Sequence, residues 1–330
     1  MKFHNPLPLL KETFTEWKED DALQLGASLA YYTIFSLAPL LLVAISVAGL
    51  VFGREAAQGQ IVGQIQGLVG RQAGEAVQTM IVNANRQGSG VLGTIIGIGA
   101  ILFGATGAFA QLQSSLNKIW EVKPREGRGV LGMLHDRLLS FGMVLAIGFL
   151  LLVSLVVSAA LASLGSFTTG LGPGMEAVLG AVHFVVSLGV IVLLFTLMFR
   201  YLPDVHIAWR DAWVGATVTA LLFVIGKFLI GFYLGNSAVG STYGAAGSLV
   251  ILLLWIYYAS QILFFGAELT QVYARRYGSR IEPDKDAVRV EEVKVDPEEA
   301  ERMRREGKAD PQKKTGAPER PRPVRQRTGT

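Results

Sequence analysis

Three ionisable side chains lie inside or beside long apolar stretches of the chain, and they have the clearest capacity for chemistry. Glu268 follows the run 230–267, which contains no charged residue, and Lys227 and His183 fall within two further apolar stretches. Such groups are costly in lipid, so they face the protein interior or water and commonly mark a substrate or ion pathway. We therefore interpret the three as candidates for lining a substrate cavity.

Glu268 and Lys227 could also have a purely structural role. Glu268 lies close to the inner end of its stretch, where headgroups and water would solvate it. Lys227 could extend its ammonium to the outer interface, although eight residues, about 12 Å of helix, separate it from the predicted helix end. That distance favours an outward-facing cavity that Lys227 shares with His183. Solvation of Glu268 by headgroups and extension of Lys227 to the interface both stay open as alternatives.

Further polar side chains on the apolar segments are candidates as well. Tyr257 and Gln261 lie on the same helix face as Glu268, Gln111 and Ser115 lie in the polar part at the end of the second apolar segment, and Tyr32 lies in the first. Gln111 and Ser115 either bond to a neighbouring helix or line a cavity. The substrate-cavity candidates are Lys227, His183, Glu268, Gln261, Tyr257, Gln111, Ser115 and Tyr32.

The elements that must position these residues are membrane-spanning helices. The chain is 51% hydrophobic and 17% charged, with a mean hydropathy of +0.41, whereas soluble domains carry about 25% charged residues. Spanning helices need about 20 apolar residues. We predict an all-α integral membrane protein with six transmembrane helices, at about 27–52, 91–116, 138–165, 177–199, 212–235 and 246–270.

The distribution of basic residues predicts the orientation. With six spans, alternate sides of the membrane carry 26 and 3 Lys and Arg residues. The richer side is cytoplasmic, so we expect both termini in the cytoplasm. The predicted organisation is a cytoplasmic segment 1–26, a membrane domain 27–277 and a disordered cytoplasmic tail 278–330. A short helix is expected within the tail, around residues 297–306.

The loop after the first span has its own pattern. Apolar residues recur at helical spacing through residues 53–90, which predicts one or two amphipathic helices on the outer surface, over or between the spans. The alternative is a plain polar loop, although 38 residues without structure would be unusual.

The second span carries a stripe of small residues, Gly93, Gly97, Ala100, Gly104 and Gly107. Small residues at this spacing let helices approach closely in lipid, so we favour tight packing within the molecule. A homo-oligomer contact and a substrate-lining face are the alternatives. Pro39 interrupts the first span, where it predicts a kink.

Catalytic and metal-binding patterns are absent from the sequence. There is no Cys, the four His residues are scattered, and no phosphate-binding loop or nucleophile motif occurs. We therefore expect no cofactor, no metal and no enzymatic activity. The pI of 9.2 fits the cytoplasmic basic residues of a membrane protein better than nucleic-acid binding.

Five short motifs together resemble the YihY/BrkB family of bacterial inner-membrane proteins. They begin with residues 29–40 (LAYYTIFSLAPL) and continue with 116–120 (LNKIW), 201–204 (YLPD), 243–247 (YGAAG) and 265–269 (FGAEL). The resemblance covers residues 10–277 and implies six helices and a protein of the type called a virulence factor. It also implies transport or flipping of lipid-related molecules, which has been suspected for members. An older label for the family, a tRNA-processing ribonuclease, conflicts with the lack of clustered metal ligands here.

Two functions follow as expectations. The first is a transporter or flippase-like lipid-handling protein whose partners are membrane lipids, with an anionic lipid or solute as substrate. The alternative is a non-transporting envelope scaffold whose charged tail recruits partners. A ribonuclease is the least supported of the three.

Overall fold

The computed structural model describes residues 6–69, 71–86, 107–125, 173–236, 246–278, 281–284 and 287–290. The helices, in chain order, are α1 (Pro6–Glu19), α2 (Ala22–Phe52), α3 (Arg54–Val69), α4 (Arg71–Arg86), α5 (107–119), α6 (Pro173–Tyr201), α7 (Trp209–Asn236) and α8 (Gly247–Tyr277). The strands are β1 (Val122–Pro124), β2 (Val205–His206), β3 (Glu282–Pro283) and β4 (Ala287–Arg289).

Three helices in the described part of the chain are long and apolar enough to cross a membrane, namely Gly180–Tyr201, Trp209–Tyr233 and Gly247–Tyr277. They correspond to the predicted fourth, fifth and sixth spans. The predicted first span lies within α2, which is 31 residues long. The predicted third span, 138–165, and most of the second, 91–116, lie outside the described residues, so the count of six stays a prediction.

Helix α8 is the central element, because it packs against α1, α2, α4 and α7. Two apolar cores lie along it. One core includes Phe199 and Phe264 and joins α8 to α5, α6 and α7, whereas the other includes Ile45, Val77 and Ile251 and joins α8 to α2, α3 and α4. Helices α3 and α4 occupy the loop for which amphipathic helices are predicted, and their apolar side chains fill the second core.

Helices α7 and α8 meet through two reciprocal pairs of glycine and threonine. A Cβ at Gly215 would overlap the side chain of Thr270, and a Cβ at Gly266 would overlap that of Thr219. Each threonine hydroxyl donates a hydrogen bond to the carbonyl four residues earlier, from Thr219 to Gly215 at 2.7 Å and from Thr270 to Gly266 at 2.6 Å. The glycines therefore set how closely the two helices approach.

The segment after α8 corrects the predicted start of the disordered tail at residue 278. Strand β3 pairs antiparallel with β2, and β4 pairs antiparallel with β1, with Val205 opposite Pro283 and Val122 opposite Arg289. The prediction was wrong for residues 281–284 and 287–290, because each short strand finds its partner in a loop beside the helix ends. Residues 291–330, including the expected short helix, lie outside the described residues.

Candidate functional site

The candidate site is a group of buried polar residues where the start of α2 meets the last turns of α8. Glu268 has an exposed fraction of 0%, although it lies within a helix of membrane-spanning character. Its carboxyl lies in direct contact with the carboxyl of Asp20, which lies in the turn between α1 and α2. The site is therefore built around two carboxyl groups in direct contact.

Burial strongly affects the ionisation of Asp20. Loss of hydration raises the pKa of the Asp20 carboxyl from 3.8 to about 6. The contact with Glu268 and the charge of Lys118 oppose this increase in the pKa of Asp20, whereas the charges of Glu121 and Glu16 add to it. The Asp20 carboxyl therefore titrates close to neutral pH.

Lys118 links the end of α5 to the turn that carries Asp20. Its ammonium donates a hydrogen bond of 2.7 Å to the backbone carbonyl of Asp20 and lies 3.3 Å from the carboxylate of Asp21. Asp21 has a φ of 55°, a left-handed conformation that Asp tolerates better than most residues. The turn is thus held by a fixed cation.

Asn117, the preceding residue, joins two of the family-like motifs. Its amide donates to the Asp204 carboxylate at 3.0 Å, and its carbonyl oxygen accepts from the Asp204 backbone N–H at 2.8 Å. Gln113 donates to the other Asp204 oxygen at 3.2 Å. Because Asn117 and Asp204 are both buried, this paired contact fixes α5 against the end of α6.

The docked strands extend the same region. The Asp284 backbone N–H donates to the Asp204 carbonyl at 3.1 Å, and the Val290 N–H donates to the Glu121 carbonyl at 2.8 Å. The His206 imidazole also contacts the Asp284 carboxylate. The first residues after α8 therefore cover the loops that follow α5 and α6.

Helix α1 is held against the end of α8 by ion pairs. The Arg275 guanidinium donates to Glu12 at 2.7 Å and to Glu16 at 2.6 Å, and Arg276 also contacts Glu12. The predicted cytoplasmic segment 1–26 thus contains a helix that packs beside the two-carboxyl site.

Gln261 lies two turns before Glu268 and contacts the start of α2. Its amide nitrogen is 3.4 Å from the carbonyl oxygen of Ala22, and its amide packs where a Cβ at Gly26 would stand. Tyr257 lies one turn before Gln261 in α8 and approaches the same glycine, Gly26. Of the sequence-predicted residues, Glu268, Gln261 and Tyr257 are therefore brought together along the contact between α2 and α8.

Two of the polar candidates, Gln111 and Ser115, contact each other within α5, and Gly107 of the same helix lies against α2. Gln111 donates to the hydroxyl of the buried Ser115 at 3.3 Å, a bond within one helix. Gly107 faces Tyr32 and Ser36 of α2, and Tyr32 is 44% exposed. Gly107 therefore lies at a helix contact, whereas Gly93, Gly97, Ala100 and Gly104 lie outside the described residues.

Lys227 lies on the face of α7 that is turned towards the other helices. The exposed face of this helix carries large apolar residues, including Ile225, Phe228 and Phe232, whereas Lys227 is half-buried and follows Phe223 by one turn on the opposite face. Phe223 itself contacts Phe195 of α6. The backbone of His183 lies in α6, but its side chain is outside the described part of the chain, so the pocket shared with Lys227 stays a prediction.

Two further predictions concern a kink at Pro39 and the absence of a metal site. Helix α2 continues through Pro39, whose side chain lies outside the described part, and the predicted kink is not tested. Within the described residues, no group of three His, Cys, Asp or Glu side chains is arranged to hold a metal ion.

Residue types and spacing did not predict Asp20, Lys118, Asn117 and Asp204 as members of the site. Asn117, Lys118 and Asp204 stood out only as parts of family-like motifs, and Asp20 lies in the charged run 18–21, which precedes the predicted first span. One pattern in the sequence could have indicated these residues. Charged or amide residues occur at three helix ends, and the predicted topology places all three ends on the same side of the membrane.

Apolar helices of membrane-spanning length that enclose buried polar groups define a polytopic membrane protein. The family model described as "Virulence factor BrkB" matches residues 13–291, and the chain belongs to this family. The match confirms the resemblance drawn from the five motifs and extends beyond α8 into β3 and β4.

Curated relatives carry the name "UPF0761 membrane protein". The relative from Verminephrobacter eiseniae is 31% identical over 271 residues, which cover 80% of this chain and 62% of the relative. That from Ralstonia nicotianae is 28% identical, covering 76% and 55%, and one from Pseudomonas aeruginosa is 31% identical, covering 76% and 59%. The chain thus spans about three fifths of the length of these relatives. No solved structure matches.

Proposed function

We propose that this protein moves a lipid or another anionic amphiphile across the bacterial inner membrane, and that it does so without enzymatic chemistry. The observation that carries the proposal is the complete burial of Glu268 within an apolar helix. Ionisable groups at such positions are disfavoured by several kcal/mol or more unless they are partnered, and they commonly serve transport pathways.

Lys227 supplies the second part of the proposal. A Lys that only extended to the headgroups would be expected among the lipid-facing side chains. Lys227 instead lies with Phe223 on the face of α7 that is turned towards the other helices. A fixed cation there would attract an anionic headgroup or carboxylate. We assign Lys227 the role of binding the charged part of the substrate.

The direction of movement depends on orientation. The proposal places both termini in the cytoplasm on the basis of the 26 basic residues on one side of the predicted topology. Because the chain has no Cys, single cysteines at Ser89, Thr169 and Ser237 should react with an impermeant reagent added outside. A cysteine at Ser279 that reacted from outside would contradict this orientation.

Reconstitution tests the transport step directly. Proteoliposomes would contain an anionic phospholipid with a fluorescent acyl chain, and an impermeant quencher would report its transfer between leaflets. We expect faster transfer than in protein-free liposomes, a large decrease with Lys227→Met and partial retention with Lys227→Arg. Lys123→Met makes the same change at an exposed lysine of β1 and should behave as wild type.

The scaffold alternative predicts a different outcome. If folded wild-type protein leaves transfer at the protein-free rate for lipids of several headgroups, transport is refuted and the scaffold is favoured. Equal transfer by Lys227→Met and wild type would refute only the role of Lys227.

A further inference from the structure

The Glu268 carboxyl is buried without a hydrogen-bond donor to satisfy it. Its exposed fraction is 0%, and within the described residues no N–H or O–H donor reaches either of its oxygens. Its polar neighbour is the carboxyl of Asp20. Two ionised carboxylates are both acceptors, so this contact becomes a hydrogen bond only when one of them carries a proton.

The neighbouring cations do not remove this requirement, because they are bonded elsewhere. The Lys118 ammonium is directed to the backbone carbonyl of Asp20 and to Asp21. The Arg275 guanidinium is bonded to Glu12 and Glu16 of α1. Neither cation hydrogen-bonds to Glu268.

The electrostatic surroundings act in the same direction. The titratable and charged groups facing the pair are Glu16 from α1, Lys118 from the end of α5, Glu121 from the turn that follows α5, and Arg275 from α8. Burial of one negative charge beside another is strongly unfavourable, and a proton between two carboxyls relieves both the repulsion and the missing hydrogen bond. Burial also raises the pKa of Asp20 above its usual value, which is the direction that this arrangement requires.

We propose that Asp20 and Glu268 form a proton-binding site in which one proton is held between the two carboxyl groups at neutral pH. The proton belongs to the pair rather than to either residue, as for other strongly coupled acids. The site links the α1–α2 turn to α8, so loss of the proton would weaken the contact between them. Its use as the coupling ion of transport rests on the proposed function, whereas proton binding itself does not.

Infrared spectroscopy of the full-length protein in detergent tests the site without any transport assay. At pH 7.5 we expect a protonated-carboxyl band that shifts in D₂O and is lost in Glu268→Gln. The band should persist in Glu55→Gln, which removes an exposed carboxyl of α3. Absence of the band from wild type, or its persistence in Glu268→Gln, would overturn the proposal.

Proton release on unfolding gives a second readout that does not require a folded variant at the site. Wild type unfolded at pH 7.5 in weak buffer should release about one proton, because an unfolded carboxyl is ionised at this pH. Release of no proton would overturn the proposal. Asp20→Asn, which removes the negative charge beside Glu268, should reduce the release.

A bound alkali cation is the competing occupant for two adjacent carboxylates. At constant ionic strength, we expect the thermal stability of wild type to be the same in sodium and choline salts. Stabilisation by Na⁺ that is lost in Glu268→Gln would show a cation site instead and refute the proton. Lipid transfer enters none of these measurements, so failure of the transport proposal and failure of the proton site can be told apart.

Discussion

Replacing Gly266 with alanine should measurably separate α7 from α8. A Cβ at this position would lie 2.7 Å from Cγ2 and 2.8 Å from Cβ of Thr219 and would also overlap its hydroxyl. Favourable carbon–carbon contacts are about 3.5–4.0 Å, so the overlap is close to 1 Å. Thr219 is fully buried, and its Cβ cannot be moved by rotating the side chain, so the two helix backbones must move apart.

The expected cost follows from this geometry. Overpacking a well-packed core typically costs about 1–3 kcal/mol, and we expect the upper half of that range because backbone displacement is required. Gly189→Ala is the matched control, since a Cβ there has nothing within 4 Å. It should be neutral or should stabilise by up to about 1 kcal/mol through helix propensity. Stability would be measured by reversible denaturation in mixed micelles.

A double variant tests the mechanism of the loss. Thr219→Gly removes all three overlapping atoms, so Gly266→Ala should cost less in that background than in wild type, a coupling that double-mutant cycles detect. Equal stability of Gly266→Ala and Gly189→Ala, or additive effects in the cycle, would refute the reasoning about this contact.

Three further predictions concern the region around α5 and the end of α8. Asn117→Ala should destabilise the protein by about 1.5–3 kcal/mol in the same denaturation assay, because it removes buried hydrogen bonds to the charged Asp204; a neutral effect would contradict the importance of this contact. Truncation after Gly278 should lower the thermal unfolding temperature, since β3 and β4 are lost, whereas truncation after Val290 should retain it; equal effects would show that the strands contribute nothing. Asp20 has a raised folded-state pKa of about 6 against 3.8, so its protonated form stabilises the fold at low pH, and this contribution is lost as pH rises through about 6. Thermal unfolding of Asp20→Asn should therefore show higher stability than wild type at pH 7.5 and a smaller difference at pH 5; an unchanged difference would contradict the shift.

The apolar helices were predictable because lipid imposes a simple requirement on composition. The charge-free stretches located α6, α7 and α8 to within a few residues at most ends. Helix α8 continues to Tyr277, seven residues past its predicted end, because Arg275 and Arg276 pair with Glu12 of α1. Hydropathy cannot anticipate such an extension, since it depends on contact with another helix.

Elements defined by distant pairing were not predictable from local pattern. Strands β3 and β4 contain two and three residues, too few for a period-of-two pattern to be distinguished from a charged tail. Helix α1 carries a weak signal in Leu7, Leu10 and Phe14, which recur at helical spacing and remain exposed on its surface. Three apolar residues over two turns are a much weaker indication of a helix than the long apolar segments that follow.

The site was predicted in part, and the reason lies in its chemistry. Glu268 was identifiable because an acid beside a long apolar run is unusual. Its contact with Asp20 depends on α1 and α8 packing together, which no sequence spacing encodes. Asn117 and Asp204 were likewise identifiable as motif residues, but their mutual hydrogen bonds follow only from the packing of α5 against α6.

The central claim is that polar groups enclosed among these helices bind a charged amphiphile on its way across the membrane. The most direct measurement is a high-resolution structure of the protein in a bilayer containing anionic lipid. We expect headgroup density within hydrogen-bonding distance of the Lys227 ammonium, on the face of α7 that is turned towards the other helices. A Lys227 ammonium on the lipid-facing perimeter, extended to the headgroups beside a fully packed bundle, would contradict the claim.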